Sequence, residues 1–235
     1  MPQLTSVEAI DAKVAWARAI GAVAALWVVN LVATLLLIAI GRTLGWPSTP
    51  TANAAMRIGG AILGEGVFLL LLVAWMKREH TSLDDLGIRR SPRVWALLAA
   101  IGFGVLYGVL TLSNPGIRHF AGTLGPLKAE AVIAALVAGI VEETTSRGYV
   151  MAQLGRARTS TSLQIVASGL LFGLAHFNYS FYGILSATII GLVFAAVYIY
   201  GRRALIPVMA GHAVIDLIIE PGLVLWVLAG FPIPR

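Results

Sequence analysis

Apolar runs follow one another along this chain, and several reach the roughly 20 residues that a helix needs to cross a lipid bilayer. Only 12% of the 235 residues are charged, while 58% are hydrophobic. Soluble domains carry about twice that charged fraction. The sequence therefore predicts an all-α, polytopic membrane protein. Because no long polar block separates the apolar runs, residues 1–235 are expected to form one domain.

About eight helical segments are expected to span the membrane, and the last is short enough to be tilted, re-entrant or partly inserted. Their approximate bounds are 16–41, 56–76, 93–113, 129–153, 162–177, 181–200, 204–219 and 221–231. Small residues four apart predict close helix–helix approach in three of them. These are Gly60 and Gly64, Gly104 and Gly108, and Ala187 and Gly191.

The basic residues predict the orientation of the chain. With a cytoplasmic N-terminus and alternating spans, 12 of the 17 Lys and Arg residues fall inside, and Arg42, Arg57, Arg118 and Lys128 fall outside. This asymmetry follows the positive-inside rule and predicts that both termini are cytoplasmic. The compact loops favour a bacterial inner membrane. The longest inside loop, 80–93, carries apolar residues that would let it lie at the membrane interface, namely Leu83, Leu86 and Ile88.

Other composition features exclude several classes of function. The sequence pI is about 10.1, but the basic residues form no continuous stripe, so nucleic acid is not an expected partner. The chain has no cysteine, which excludes disulfides, a thiolate nucleophile and cysteine-ligated zinc. The first apolar run lacks a basic n-region and an A-x-A cleavage site, so we expect a retained span rather than a signal peptide.

Seven ionisable residues lie deep in the apolar segments, where each charge costs at least a few kcal/mol and needs a partner. They are Glu65, Glu142, Glu143, Arg147, His176, His212 and Asp216. Glu65 is expected either to join a functional site or to face Arg147 across a helix interface.

The stretch VEETTSRGYV, residues 141–150, holds three of these charges. Glu143 and Arg147 are i and i+4 on a helix, with the acid first, which favours an ion pair. Glu142 is rotated by about 100° from Glu143 and has no cation at i+4, so it is available as a general base. The alternative is that all three charges form one structural cluster.

His212 and Asp216 are also i and i+4, and His176 ends another apolar segment. Either histidine alone is as readily explained by helix packing. Buried polar groups must find partners, however, so groups on three helices are expected to converge. Such a set can bind zinc through Glu142, His176 and His212, or activate water directly without a metal. Spacing does not choose between these two chemistries, and both hydrolyse acyl bonds.

Three motifs in order resemble the CPBP family of intramembrane proteases, also called the CAAX protease or Abi family. They are Glu142-Glu143-x-x-x-Arg147-Gly148, Phe172-x-x-x-His176 and His212-x-x-x-Asp216. The resemblance covers about residues 140–218, inside a motif-bearing core expected at 129–219, and the stretch SLDDLGIRR also looks like a segment found upstream in the family. It implies an eight-helix fold with a cavity reached from the cytoplasm.

The same resemblance implies the role of each residue. Glu142 would activate water with help from His176, and His212 and Asp216 would stabilise the oxyanion. Glu143 and Arg147 would support them, and no cofactor would be required. Asp216 stands where Asn is common in the family.

The chain departs from the family at Thr144, Thr145 and Ser146, where bulky apolar residues are usual. Ser146 lies one turn from Glu142 and is expected to hydrogen-bond to it. The predicted depths of Glu142 and His176 in the membrane also differ. Counting along the helices places Glu142 near the inner end of its segment and His176 near the outer end of its own, so their meeting requires a tilted or sunken helix.

The function expected is therefore an endopeptidase that acts on a membrane-associated peptide or a lipidated, CAAX-like substrate, with membrane lipids as surroundings. The first alternative is a non-catalytic bacteriocin-immunity or scaffold protein, for which Glu142→Ala would leave function intact. The second is a proton-coupled transporter that relays protons through Glu65, Glu142 and Asp216. Transporters often show internal repeats, which this sequence lacks.

Overall fold

The structure, a computed structural model, describes residues 9–118, 127–177 and 180–222. In this part of the chain the regular elements are helices, and no strand is found. In chain order they are α1 (Ala12–Thr43), α2 (Pro50–Arg78), α3 (Leu83–Leu86), α4 (Val94–Leu112), α5 (Lys128–Glu143), a π-helical segment (Thr144–Tyr149), α6 (Val150–Arg156), α7 (Thr161–Ala175), α8 (Phe181–Tyr200) and α9 (Ile206–Ile219).

The prediction of an all-α polytopic membrane protein is confirmed. Of the described helices, α1, α2, α4 and α8 are long and apolar enough to cross a membrane. The helices α7 and α9 are apolar but have only 15 and 14 residues. The predicted last segment, 221–231, falls almost entirely outside the described residues, and the division into one domain stays a prediction.

The predicted segment 129–153 is one helical run from Lys128 to Arg156 with a π-helical interruption in its middle. The hydroxyls of Thr144 and Thr145 donate to the carbonyls of Ile140 and Val141, at 2.6 and 2.7 Å. Such back-bonding bends helices, and π turns are frequent at functional sites. All six residues of the π segment are buried.

The small-residue spacings mark close helix contacts, as predicted. Gly60 and Gly64 of α2 face Thr34 and Asn30 of α1, and these two helices pack along much of their length. Further along the chain, α4 packs against α9 through Gly104 and Gly108, and α8 packs against α7 through Gly191. A Cβ atom at Gly104 would lie 2.5 Å from the Gly211 carbonyl oxygen, so side chains are excluded there.

The 80–93 loop packs against the protein through Leu86, and its position at the membrane interface stays a prediction. Leu86 is fully buried and lies against Gly148 of the π segment, whereas Leu83 remains exposed. Gly87 has a φ of 85°, a left-handed conformation that closes α3, and its carbonyl accepts from the Leu205 N–H at 3.1 Å. Leu86 is buried because it meets two other segments of the chain, which local hydrophobicity does not reveal.

The arginine-rich loops lie at one end of the molecule, where polar contacts join them. We call this end the basic end. There Arg18 pairs with Glu79 at 2.8 Å, and Arg156 donates to Thr81 at 3.2 Å. Described cations at this end are Lys13, Arg18, Lys77, Arg78, Arg89, Arg90, Arg93, Arg156, Arg158, Arg202 and Arg203. The far end, where α1, α4 and α9 finish and α2, α5 and α8 begin, carries Arg42, Arg57, Arg118 and Lys128.

Candidate active site

The predicted motifs of α5 and α9 meet at the imidazole of His212. Its Nδ1 lies 2.8 Å from Oε1 of Glu143. Its Nε2 lies 3.4 Å from Oδ2 of Asp216 and 3.9 Å from Oε2 of Glu142. Because an ionised carboxylate only accepts hydrogen bonds, Nδ1–H of His212 donates to Glu143. Nε2 is thereby directed at the space between Glu142 and Asp216.

Glu143 and Arg147 form the predicted ion pair. Nη1 of Arg147 donates to Oε1 of Glu143 at 2.9 Å, and both side chains are fully buried. The guanidinium carbon lies 4.3 Å from the ring centroid of Phe172, a cation–π contact. Phe172 also packs edge-on against His212, with ring centroids 5.6 Å apart. Since one oxygen of Glu143 accepts from both Arg147 and His212, the ion pair positions the imidazole.

Glu142 has a different environment from its neighbour. Its side chain is 21% exposed, against 0% for Glu143, and it lines a cavity together with Ser146 and His176. No hydrogen bond joins Ser146 to Glu142 in the described part of the chain. The Ser146 carbonyl instead accepts from the Ser168 hydroxyl at 2.9 Å. The π turn bonds i to i+5, which shifts Ser146 away from the position that an α-helix would give it.

His176 caps the C-terminus of α7, and a local hydrogen bond orients its ring. Nδ1 lies 2.8 Å from the Phe172 carbonyl. A carbonyl only accepts, so Nδ1 carries the proton and Nε2 of the neutral ring is the acceptor nitrogen. The ring also packs on Phe172, with centroids 4.8 Å apart. Phe172 thus lies between Arg147 and both histidines.

The observed helix bounds place Glu142 and His176 at similar depth, unlike the predicted bounds. Glu142 is 14 residues from Arg156 and His176 is 15 residues from Thr161. At about 1.5 Å per residue, these separations are about 21 and 22 Å from the basic end. The two side chains are therefore at similar depth without a strongly tilted helix, because helical structure continues beyond residue 153 to Arg156.

Glu65 lies within electrostatic range of the site residues on α5 and α9. It is buried on α2, and its electrostatic partners are Glu142, His212, Asp216 and Glu220, whereas those of Arg147 are Glu143 and Glu142. Its Oε2 is buried without a hydrogen-bond partner among the described residues. The sequence left this choice open because helix rotation and depth decide it.

Glu220 is a site residue that the sequence analysis missed. It follows α9 and lines the same cavity as His212 and Asp216. A usable signal was present, since Glu220 comes four residues after Asp216 and eight after His212, on one helical face. Its position beyond the end of the apolar run explains why it was overlooked.

Two cavities reach these residues. The larger, of about 740 Å³, is bounded by α4, α7, α8 and α9 and is lined by His176, His212, Asp216 and Glu220. The smaller, of about 520 Å³, is bounded by α1, α2 and α5 and is lined by Glu142 and Ser146. Phe172 and His176 line both cavities. A substrate bond placed beside His176 would therefore lie next to Glu142 on one side and His212 on the other.

Zinc binding by Glu142, His176 and His212 stays an open alternative. Within residues 9–118, 127–177 and 180–222, no group of three or more His, Asp or Glu side chains has a geometry that would hold a metal ion. The hydrogen bonds described above engage Nδ1 of both histidines with protein acceptors. Because a metal-ligating histidine commonly donates its other ring N–H to such an acceptor, the arrangement is compatible with zinc binding and with direct activation of water.

Comparison with known proteins adds a finding on family. The family model of type II CAAX prenyl endopeptidase Rce1-like proteins matches residues 125–218. That segment holds the motifs from Glu142 to Asp216. No curated protein and no solved structure matches the chain. The family is one of proteases, which are hydrolases. Over residues 125–218, the chain is therefore similar to the CAAX protease family.

Proposed function

We propose that the protein is an intramembrane endopeptidase that cuts a peptide bond of a membrane-associated or lipidated, CAAX-like substrate. The observation that carries this proposal is the contrast between the two adjacent glutamates. Glu143 accepts from both Arg147 and His212 through Oε1, while Glu142 faces a cavity beside both histidines. A carboxylate that no buried cation neutralises directly, within reach of imidazoles, is suited to general-base chemistry.

In the proposed reaction, Glu142 accepts a proton from a water molecule oriented by Nε2 of His176. The resulting hydroxide attacks the carbonyl carbon of the scissile bond, and the carbonyl oxygen becomes an oxyanion. On the other side His212, protonated on both ring nitrogens, donates Nε2–H to that oxygen while Nδ1–H stays on Glu143, and a protonated Asp216 carboxyl donates to it as well. Collapse of the intermediate breaks the C–N bond, and the proton held by Glu142 passes to the leaving amine.

Glu143, Arg147 and Phe172 act as positioning residues. Nδ1 of His212 and Nη1 of Arg147 donate to one oxygen of Glu143, and Phe172 contacts the guanidinium and both imidazoles. Fixing His212 in this way aims Nε2 at the reacting atoms before substrate binds. Preorganised donors of this kind are worth about 10²–10³-fold in rate.

The test is hydrolysis of a peptide library, plain and prenylated, by purified protein in nanodiscs. Wild type is compared with Glu142→Gln and His176→Ala. The matched control is Glu130→Gln, the same chemical change at an exposed position of α5. We expect loss of about 10²–10⁴-fold in Glu142→Gln, a comparable or smaller loss in His176→Ala, and wild-type rates in the control.

The same assay separates the alternatives. Activity that survives a chelator supports water activation by Glu142, whereas loss on chelation with recovery on adding zinc would make Glu142, His176 and His212 metal ligands. A folded wild type that cleaves no peptide would refute the enzyme and favour the immunity or scaffold function. Equal activity of Glu142→Gln and wild type would remove Glu142 from the reaction.

A further inference from the structure

Two arginine-bearing segments meet at the basic end of the molecule. Residues 87–93 lie between α3 and α4, and the turn 201–205 joins α8 to α9. The Leu205 N–H donates to the Gly87 carbonyl at 3.1 Å, and Nη1 of Arg93 donates to the Tyr200 carbonyl at 3.4 Å. These contacts bring together four arginines, which we call the arginine patch: Arg90, Arg93, Arg202 and Arg203.

The arginine patch has no counter-ion among the described residues. Arg90 is one of the charges that act on Arg203, so two like charges are held near each other. None of the four arginines forms an ion pair in the described part of the chain. The acids of the preceding segment are Asp84 and Asp85, and Asp85 accepts from Ser82 in the cap of α3. The patch is therefore a surface of uncompensated positive charge, which attracts anions.

The backbone of the turn fixes two of these arginines. Arg202 and Arg203 have φ values of 72° and 54°, in the left-handed region that residues with a Cβ atom rarely adopt. The Arg203 N–H donates to the Tyr198 carbonyl at 2.7 Å, and Nη2 of Arg203 donates to Oε1 of Gln164 at 2.7 Å. These hydrogen bonds hold the turn against the end of α8 and the start of α7.

Exposed aromatic and apolar side chains place the arginine patch at the level of the lipid headgroups. Trp95 and Tyr200, at the adjoining ends of α4 and α8, are 44% and 59% exposed. Trp and Tyr are enriched where a membrane helix meets the headgroups. Val94 and Leu98 of α4 are 74% and 66% exposed, as expected for side chains that face lipid on a membrane helix. The patch therefore lies directly beside a surface that contacts lipid.

We infer that the arginine patch binds the headgroup of an anionic phospholipid. Guanidinium groups bind phosphate oxygens in a bidentate geometry, and basic clusters at the membrane interface attract anionic lipids. A lipid fits this surface better than a free phosphate does, because its acyl chains would lie along the exposed side chains of Val94 and Leu98. The inference concerns the basic end and does not rest on the proposed function.

Purified protein in detergent is titrated with phosphatidylglycerol or phosphatidylcholine, and native mass spectrometry gives the dissociation constants. The exposed pair Arg93→Gln, Arg202→Gln is compared with Arg78→Gln, Arg158→Gln, a control pair that removes the same charge from exposed positions outside the patch. We expect wild type and the control pair to prefer phosphatidylglycerol by about 30-fold, and the patch pair to lose that preference. Equal loss in both pairs, or equal binding of the two lipids by wild type, would overturn the inference.

A second measurement uses wild type alone and separates the two sources of phosphate. Amide hydrogen exchange over residues 201–206 is followed in nanodiscs of phosphatidylglycerol, of phosphatidylcholine, and of phosphatidylcholine with added inorganic phosphate. The N–H groups of Gly201, Arg203 and Leu205 donate to backbone carbonyls, and we expect them to exchange at least about threefold more slowly in phosphatidylglycerol alone. Equal protection by inorganic phosphate would assign the patch to free anions, and equal exchange in all three samples would refute binding at the patch.

Discussion

Glu142 and Glu143 are chemically identical neighbours, so replacing each by glutamine is a controlled comparison of two environments. The Glu143 side chain is fully buried and its Oε1 accepts from Arg147 and His212 at 2.9 and 2.8 Å. The Glu142 side chain is 21% exposed, and its nearest ionic neighbour is His212 at 3.9 Å. We expect Glu143→Gln to act on stability and Glu142→Gln to act on catalysis.

The magnitudes follow from burial. Glu143→Gln leaves the Arg147 guanidinium buried without a counter-ion, and breaking a buried pair in this way costs about 3–5 kcal/mol of folding free energy. Glu142→Gln breaks no direct ion pair with a cationic side chain, so its stability change should stay below about 1 kcal/mol. Its kcat should fall by about 10²–10⁴-fold, a barrier increase of about 3–5 kcal/mol.

The free energy of unfolding is measured by SDS titration in mixed micelles, and kcat by peptide hydrolysis under native conditions. The double variant Glu143→Gln, Arg147→Met completes the comparison. It removes the stranded charge and replaces it with a flexible apolar side chain, so it should be about 1–3 kcal/mol more stable than the sum of the two single variants.

Two outcomes would refute this reasoning. If Glu142→Gln were as destabilised as Glu143→Gln, then Glu142 would belong to one structural cluster with its neighbour. If the double variant were no more stable than the sum of the single variants, the burial of Arg147 would not depend on Glu143, and the role of the ion pair in positioning His212 would fail with it.

Three further predictions concern packing and metal. In Gly173→Ala, the added Cβ collides with the hydroxyl of Thr188 and lies 2.9 Å from its Cβ, so SDS titration should show a loss of about 1–3 kcal/mol. Gly66→Ala, where nothing lies within 4 Å, should be neutral or gain up to about 1 kcal/mol, and equal losses would contradict the close approach of α7 and α8. Gly87→Ala combines a φ of 85° with a clash against the Arg203 carbonyl, so hydrogen exchange over residues 82–90 should accelerate; unchanged protection would refute the docking of the loop. Treatment with 1,10-phenanthroline should leave peptide hydrolysis unchanged, and loss reversed by zinc would contradict the metal-free mechanism.

Patterns within single segments of the sequence predict the fold class, most helix bounds and one ion pair. Apolar runs of membrane length predicted an all-α polytopic protein, and the bounds of most segments lie within a few residues of the observed helices. The ion pair of Glu143 and Arg147 was accessible because i and i+4 side chains meet on any helix. Small residues at Gly60 and Gly64 marked the contact of α1 with α2 for a similar reason, since close helix approach needs small side chains.

Spacing within one segment does not predict contacts between different helices. The spacing of His212 and Asp216 predicted a partner on the same helix, yet the shorter contact is to Glu143 on α5, at 2.8 Å against 3.4 Å. Likewise, Leu86 has an interfacial pattern in the sequence and is fully buried in the structure. In both cases a residue from a distant part of the chain supplies the contact, and periodicity along one segment carries no information about it.

The sequence by itself determined that this chain is a helical membrane protein with an acidic and imidazole-bearing set of residues at helical spacings. Tertiary structure decided that Glu143 accepts from Arg147 and His212, that Glu220 lines the cavity of His212 and Asp216, and that Phe172 and His176 line both cavities. The physical reason is that spacing sets the face of a helix on which a side chain lies. The depth and rotation of each helix against its neighbours, which depend on packing of the whole chain, set what that face meets.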